Sequence, residues 1–394
     1  MKAESNKIKK RRIYLDYAAT TPVDPVVLKT MIPYFNKDFG NPSSMHSFGQ
    51  KSAQALQDSR QVIAKSIGAQ DEEIIFTSSA TESANLALKG AAFANKHKGS
   101  HIIISAIEHD CVLNTASWLK KQGFTVTLVP VDQYGLVESK DVEESIKKET
   151  ILISIMWANN EIGTIQPIEE IGEICSRKKV LFHTDAAQAF GKIPIDVSKL
   201  NIDLLTASSH KIYGSMGAAL LYIKRGTLIE PILHGGGQER NLRSSTENLA
   251  SIVGFAKATE IAMKGMKAEN KRLSGLRDRL IEKILKNIPD VYLNGHPEKR
   301  LSNNINLRFS YVEGESMMME LDGYGIAVST GSACSSPKLE PSHVLLALGL
   351  RPEEIHGSIR ISLGRWTTED EIDYLLEVLP KVVKKLRKIS PFAN

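Results

Sequence analysis

A doubly wound α/β fold is predicted by two observations. From about residue 50 to residue 225 short apolar runs alternate with longer amphipathic segments, and several runs end in small polar or charged residues. Such alternation is what a parallel sheet covered on both faces requires. The strands are expected at Glu73 to Phe76, His101 to Ser105, Thr125 to Val129, Ile151 to Ile155, Val180 to Thr184, Asp203 to Ala207 and Ala218 to Ile223. Helices fill most of the intervals. Ser52 to Ile67 carries Leu56, Ile63 and Ile67 on one face with charged residues opposite, the pattern of a helix lying on a larger body.

After about residue 250 the pattern changes to one long helical stretch, Leu249 to Ile288, then short strands and helices, and a helical tail from Glu369 to Ile389. This break marks a second domain. With no Pro- or Gly-rich linker at the join, the long helix itself is expected to bridge the two.

At 394 residues and 43.4 kDa the chain exceeds what one small core organises, which agrees with a large domain and a smaller companion. Hydrophobic residues at 42% and charged residues at 24% exclude general disorder. A net charge of +5 and an isoelectric point near 8.8 are mild for this size, so neither nucleic acid nor a membrane is an expected partner. The basic run from Lys7 to Arg12 reads as a solvated arm or as a contact for an acidic partner. No stretch is apolar enough to span a membrane, and Met1 to Arg12 lacks a signal-peptide core, so a cytoplasmic location is expected. The cysteines Cys111, Cys175 and Cys334 cannot all pair and lack zinc-site spacing, so no resident metal is expected. Cys111 and Cys175 lie in helical patterns and read as packing residues.

Three motifs carry chemistry. In FTSSATESANLALKG a strand runs through small polar residues into a helix beginning near Thr81, whose free N–H groups suit a phosphate; the plainer alternative is that Thr81 caps the helix. In FHTDAAQAFG a strand ends at Asp185, and in TASSHKIYG another ends just before His210 and Lys211. Their spacing fits one strand–helix–strand step, with both residues at the carboxyl edge of a parallel sheet. A lysine that attacks an aldehyde must be partly neutral, which calls for burial or for a covalent link through its amine. Lysine, carboxylate and phosphate site together point to pyridoxal phosphate, whose ring nitrogen the carboxylate would keep protonated.

At this point the residues resemble the NifS- and IscS-like cysteine desulfurases of the class V aminotransferase group. The resemblance runs nearly end to end, through IYLDYAATTPVDP, GNPSSMHSFG, SSATES, SAIEHD, ANNEIGTIQP, HTDAAQAFGK, SSHKIYG, HGGGQERNLRSSTEN, STGSACSS, EPSHVLLALGL and SIRISLGRWTTEDEID. It implies the pyridoxal-phosphate transferase fold of the aspartate aminotransferase type, with a mostly parallel seven-stranded sheet. Residues 22–262 would form the large cofactor domain, and residues 1–21 and 263–394 a small α+β domain bearing the cysteine loop. The implied reaction removes sulfur from L-cysteine, giving alanine and a persulfide on Cys334.

By the same resemblance, Lys211 holds the cofactor covalently and moves the proton, while His109 stacks on the ring. Asp185 pairs with the pyridine nitrogen, and Gln188 and Asn160 lie near the ring hydroxyl and the substrate carboxylate. Ala80, Thr81, Ser208, His210 and, from a second subunit, Thr246 bind the phosphate, which implies a homodimer. Arg360 binds the substrate carboxylate, for which a planar guanidinium is suited; the alternative is a surface ion pair. Cys334 sits among Gly331, Ser332, Ala333, Ser335 and Ser336, a composition that suits an exposed loop of the longer, IscS-like form. Its thiolate would attack the substrate sulfur and hand it to an IscU-like iron–sulfur scaffold or a tRNA-thiolation relay, and could transiently ligate a cluster there. The chain departs from the pattern at Ser79 and Ser245, where Gly is usual, and at Ser215 and Met216, where Pro-Lys is usual.

Selenocysteine lyase, aminotransferase and kynureninase-like hydrolase are enzyme alternatives, and the last two need no thiol nucleophile. A non-catalytic docking protein is opposed by the joint presence of Lys211, Asp185, His109, Arg360 and Cys334. A nicotinamide-dependent dehydrogenase is opposed by the lack of a GxGxxG turn.

Overall fold

The computed structural model describes residues 11–330 and 341–390 and divides into two compact units, one of residues 20–160 and 164–268, the other of residues 1–19, 161–163 and 269–394. Cys334 lies outside the described residues.

In the larger unit seven strands form one sheet: β1 (Ile74–Thr77), β2 (His101–Ser105), β3 (Thr125–Val129), β4 (Thr150–Ser154), β5 (Leu181–Asp185), β6 (Leu204–Ser208) and β7 (Ala219–Ile223). Their spatial order is β1-β7-β6-β5-β4-β2-β3, with β7 antiparallel to both neighbours and the other pairs parallel. The expected mostly parallel seven-stranded sheet is therefore present. Alternation along each strand supplies two apolar faces. Ile103, Ile153, Phe182, Leu205 and Leu220 face one core with helices α1 (Ser47–Ser66) and α3 (Ile168–Lys178). Ile102, Ile104, Leu152, Leu204 and Leu221 face the other, with α2 (Asp110–Lys121) and the helical stretch from Ala80 to Ala94. Burial on both faces is why the strands other than the edge strand β3 read as nearly continuous hydrophobic runs.

One sequence expectation fails here. The connection from β5 to β6, residues 186–203, is a series of turns rather than a helix. Backbone bonds Phe190 N to Ala186 O (2.8 Å) and Ile193 N to Ala189 O (2.8 Å) begin a helical coil, but Pro194 has no N–H to continue it. Ile195 and Val197 are still buried, so apolar content alone resembles a helix face.

The smaller unit holds the antiparallel sheet β8 (Val291–Leu293), β9 (Asn304–Phe309) and β10 (Ser358–Ser362), in the order β10-β9-β8. Its core joins Ile305, Leu307, Ile359 and Ile361 to the C-terminal helix α5 (Glu369–Ile389) through Ile372, Leu375, Leu379 and Val383. Thr368 and Glu371 start α5 with a reciprocal capping box. The strand pair Ile13–Tyr14 with Ile326–Ala327 brings the first residues of the unit to its later ones. Helix α4, Leu249–Asn287, spans the sequence boundary between the units. Among the described residues no helix is long and apolar enough to cross a membrane.

Candidate active site

The carboxyl edge of the parallel strands gathers the acid, imidazole and amine that the sequence singles out. Asp185 is the last residue of β5 and is 5% exposed. Its carboxylate accepts from Ala187 N at 2.9 Å. Burial pushes its pKa above the ordinary range, against that hydrogen bond and the neighbouring His109 and Lys211, which favour the carboxylate. The same interactions place His109, Asp185 and Lys211 in one neighbourhood although 102 sequence positions separate the first from the last.

His109 caps α2, its Nδ1 accepting from Cys111 N at 3.1 Å, which puts the proton of the neutral ring on Nε2. Cys111 and Cys175 are buried free thiols whose ionisation burial opposes, so both serve the core.

Lys211 ends a short 3-10 turn, Ser209–Lys211, directly after β6. Two threonines fix that turn. Thr20 Oγ1 lies 3.1 Å from His210 Nδ1, and Thr21 Oγ1 donates to His210 O (2.9 Å) while accepting from Tyr213 N (2.8 Å). Tyr213 itself stands at φ +69°, and a Cβ on Gly214 would fall 2.0 Å from Ser209 Oγ, so a larger residue there would have to displace the Ser209 hydroxyl. Burial, with the charges of Lys211 and Lys192, pushes His210 down to about 4 and keeps it neutral. Ser208, the last residue of β6, is buried beside it.

Ala80 and Thr81 open the helix after β1, but the cap is Ser79 and not Thr81: Ser79 Oγ accepts from Glu82 N at 3.2 Å. The serine that departs from the family pattern thus supplies a cap that glycine lacks. Glu82 in turn accepts from Ser78 N (2.8 Å) and pairs with Arg243 Nε (2.7 Å).

Arg243 belongs to a loop held by a buried ion pair, Arg60 Nη2 to Glu239 Oε1 at 2.7 Å, with Phe76 N donating to the same carboxylate. That pairing sustains three successive left-handed residues, Glu239, Arg240 and Asn241, each disfavoured by roughly 1 kcal/mol. The loop continues to Ser245, at φ +128°, and the exposed Thr246. Ser245 therefore occupies a backbone conformation that glycine adopts freely. Of the other departures, Ser215 is buried and Met216 is 67% exposed.

Gln188 is buried after β5, with Lys192 Nζ donating to its carbonyl at 3.1 Å, and Asn160 is half-buried at the end of the segment after β4. Arg360 belongs to the smaller unit, on β10; it is 2% exposed and pairs with Asp16 at 2.8 Å, so it is no surface ion pair. Sequence reasoning missed Thr20, Thr21, Glu108 and Arg243 as site-building residues. All four fall inside motifs it had already singled out, IYLDYAATTPVDP, SAIEHD and HGGGQERNLRSSTEN.

Residues 13–375 match the family model of class-V aminotransferases. The chain belongs to that family. A cysteine desulfurase named IscS from Methanosarcina thermophila is 54% identical over 388 residues, covering 98% of this chain and 96% of its own. A solved NifS-like protein superposes with a TM-score of 0.90 at 39% identity, over 95% of this chain and 100% of its own. A solved SspA in complex with cysteine gives a TM-score of 0.80 at 38% identity, over 90% and 100% of the two chains. Within the family the chain is a cysteine desulfurase, dependent on pyridoxal phosphate. The donor set suits that cofactor: hydroxyl, neutral imidazole and helix-start N–H groups for a phosphate, and a buried carboxylate for a protonated ring nitrogen.

Proposed function

We propose that this desulfurase works through Lys211, His109, Asp185, Arg360 and Cys334, with its persulfide on Cys334. The observation that carries the assignment is the buried Asp185 carboxylate with His109 and Lys211 acting on it. When bound, the protonated pyridoxal ring withdraws electrons from the substrate's α-carbon. Asp185 keeps the ring nitrogen protonated. His109 would contact the ring, and Asn160 and Gln188 would hold its hydroxyl and the substrate carboxylate. Ala80, Thr81, Ser208, His210 and a second subunit's threonine equivalent to Thr246 receive the phosphate, which makes the functional form a homodimer. Arg360 binds the carboxylate of L-cysteine, and Lys211 removes and returns the α-proton.

The Cys334 thiolate then attacks the substrate sulfur: the new S–S bond forms as the carbon–sulfur bond breaks, and the departing carbon skeleton gains a proton and leaves as alanine. The persulfide passes to an IscU-like iron–sulfur scaffold or a tRNA-thiolation acceptor, with Cys334 free to ligate a nascent cluster transiently. Residues 22–262 serve as the cofactor domain, and residues 1–21 and 263–394 as the domain that carries the cysteine. A cytoplasmic location accords with the buried free thiols Cys111 and Cys175.

The test is alanine and sulfide release from L-cysteine with a thiol reductant by the pyridoxal-phosphate-loaded protein. Equal yields are expected. Cys334→Ser should keep the visible cofactor band and lose sulfide, and Lys211→Ala should lose both products. Undiminished sulfide from Cys334→Ser would overturn the persulfide assignment.

A further inference from the structure

Glu108, the residue before His109, is fully buried and has no assigned part in the chemistry. Its Oε1 accepts two hydrogen bonds, from Ser105 Oγ at 2.5 Å and from Met156 N at 2.8 Å. Ser105 ends β2, and Met156 lies two residues beyond β4, the neighbouring parallel strand. One carboxyl oxygen therefore joins two strand ends where the sheet's own hydrogen bonds have stopped. A second tie lies alongside: Asn159 Nδ2 donates to Ile107 O at 2.9 Å. On its other side the same segment is fixed to β5 through Trp157 N and Asp185 O, at 2.9 Å. Two loops are thus laced together at the sheet edge, one leading into His109 and the other into Asn160.

Burying an ionisable acid for this purpose is unfavourable compared with an apolar side chain, unless its geometry serves something else. Burial pushes Glu108 up to about 8; the two hydrogen bonds oppose this, the charge of Asp185 adds to it and that of His109 relieves it. At neutral pH the group is mostly the uncharged acid, for which an amide is a close substitute as acceptor.

We infer that Glu108 is a positioning residue: its Oε1 sets the loop that presents His109 to the cofactor, anchoring it on the neighbouring strand segment by accepting hydrogen bonds and not by its charge. This rests on the reading of His109 as a ring contact. The test uses the pyridoxal-phosphate-loaded protein and reads visible circular dichroism of the bound cofactor, its dissociation constant and the separate kcat and KM. Glu108→Gln, which keeps an acceptor oxygen, should stay within about twofold of the parent in each. Glu108→Ala should alter the cofactor dichroism in the direction His109→Ala does and lower kcat about tenfold. The double variant Glu108→Ala/His109→Ala should be no worse than His109→Ala alone, because a residue acting through another adds nothing once that other is gone.

Should Glu108→Ala fail to fold, Ser105→Ala removes one of the two hydrogen bonds and must shift the same signal the same way. Additive losses in the double variant, or a Glu108→Gln protein as impaired as Glu108→Ala, would overturn the inference. A His109→Ala protein with unchanged dichroism would refute the ring contact itself, and the positioning role with it, while leaving desulfurase activity to be judged from the alanine and sulfide yields.

Discussion

At the sheet edge of the larger unit, ionisable groups are held away from their ordinary protonation: the buried Glu108 and Asp185 are pushed up, and the half-buried His210 is pushed down to about 4. In the smaller unit two buried guanidiniums, those of Arg277 and Arg300, are closed by carbonyl acceptors. Arg300, 4% exposed, donates to the carbonyls of Ile162 (3.0 Å), Asn304 (3.3 Å), His296 (3.4 Å) and Asn294 (3.4 Å). Arg277 donates to Leu301 O at 2.9 Å. Burial lowers Arg300 as well, to about 9, yet leaves it charged near neutrality. The difference separates two uses of buried polarity. A hub that fastens chain segments satisfies its own donors, whereas a site for a charged ligand keeps groups whose protonation the ligand completes.

Asp185→Asn offers the strongest way to break this contrast. It should lower kcat for alanine release by about 100-fold or more with the protein still folded, because the ring nitrogen loses the charge that keeps it protonated. A variant that lost only thermal stability would make Asp185 a hub like Arg300. The reciprocal change, Arg300→Met, should cost about 3–5 kcal/mol in denaturant unfolding by leaving several buried carbonyls without donors. An unchanged midpoint would mean that the guanidinium is not a fastener.

A smaller, pH-dependent effect sharpens the comparison. The folded pKa of Glu108, about 8, lies above the usual value of 4.5, so its favourable contribution is complete below 4.5 and is lost as pH rises towards 8. Relative to Glu108→Gln, the parent should lose about 1.4 kcal/mol per pH unit at most across that window, and the gap should level off above it. Parallel stability curves from pH 5 to pH 9 would show that Glu108 is charged throughout. The smallest effect belongs to Ser245→Gly, which should raise stability by about 1 kcal/mol by relieving the backbone at φ +128°. A lower melting temperature would mean that the Ser245 side chain does more than tolerate its position.

Much of the fold and the site is legible in the residues themselves. Strands His101–Ser105 and Thr125–Val129 fall where they are expected and the other five shift by only a residue or so; burial on both faces writes the inner strands as nearly continuous hydrophobic stretches, whereas the edge strand Thr125–Val129 is marked by β-branched residues instead. Asp185 ends one strand and Lys211 closely follows another, and in a parallel sheet that position marks a ligand edge. Other features depend on partners far along the chain. Thr20 and Thr21 meet residues about 190 positions away, and the acceptor role of Glu108 needs Met156, so local pattern carries no trace of either. The turns between β5 and β6 pass for a helix in the sequence because buried Ile195 and Val197 imitate an amphipathic face past a proline. Cys334, which the proposed reaction uses as its nucleophile, lies outside the described residues, and its reading stays that of its small-residue surroundings.

The three separate pieces of chain that make up the smaller unit bear on how the molecule is synthesised. Ile13 pairs with Ile326, and Gly163 O accepts from Leu301 N at 2.9 Å, so neither early segment has its partner until the last third has emerged from the ribosome. The larger unit closes almost entirely within residues 20–268 and can condense first, which leaves the first strand and the 161–163 segment waiting with apolar and polar groups uncovered. During that interval a chaperone has most to protect, and a nascent chain halted near residue 270 should expose Ile13 and Leu15 to it.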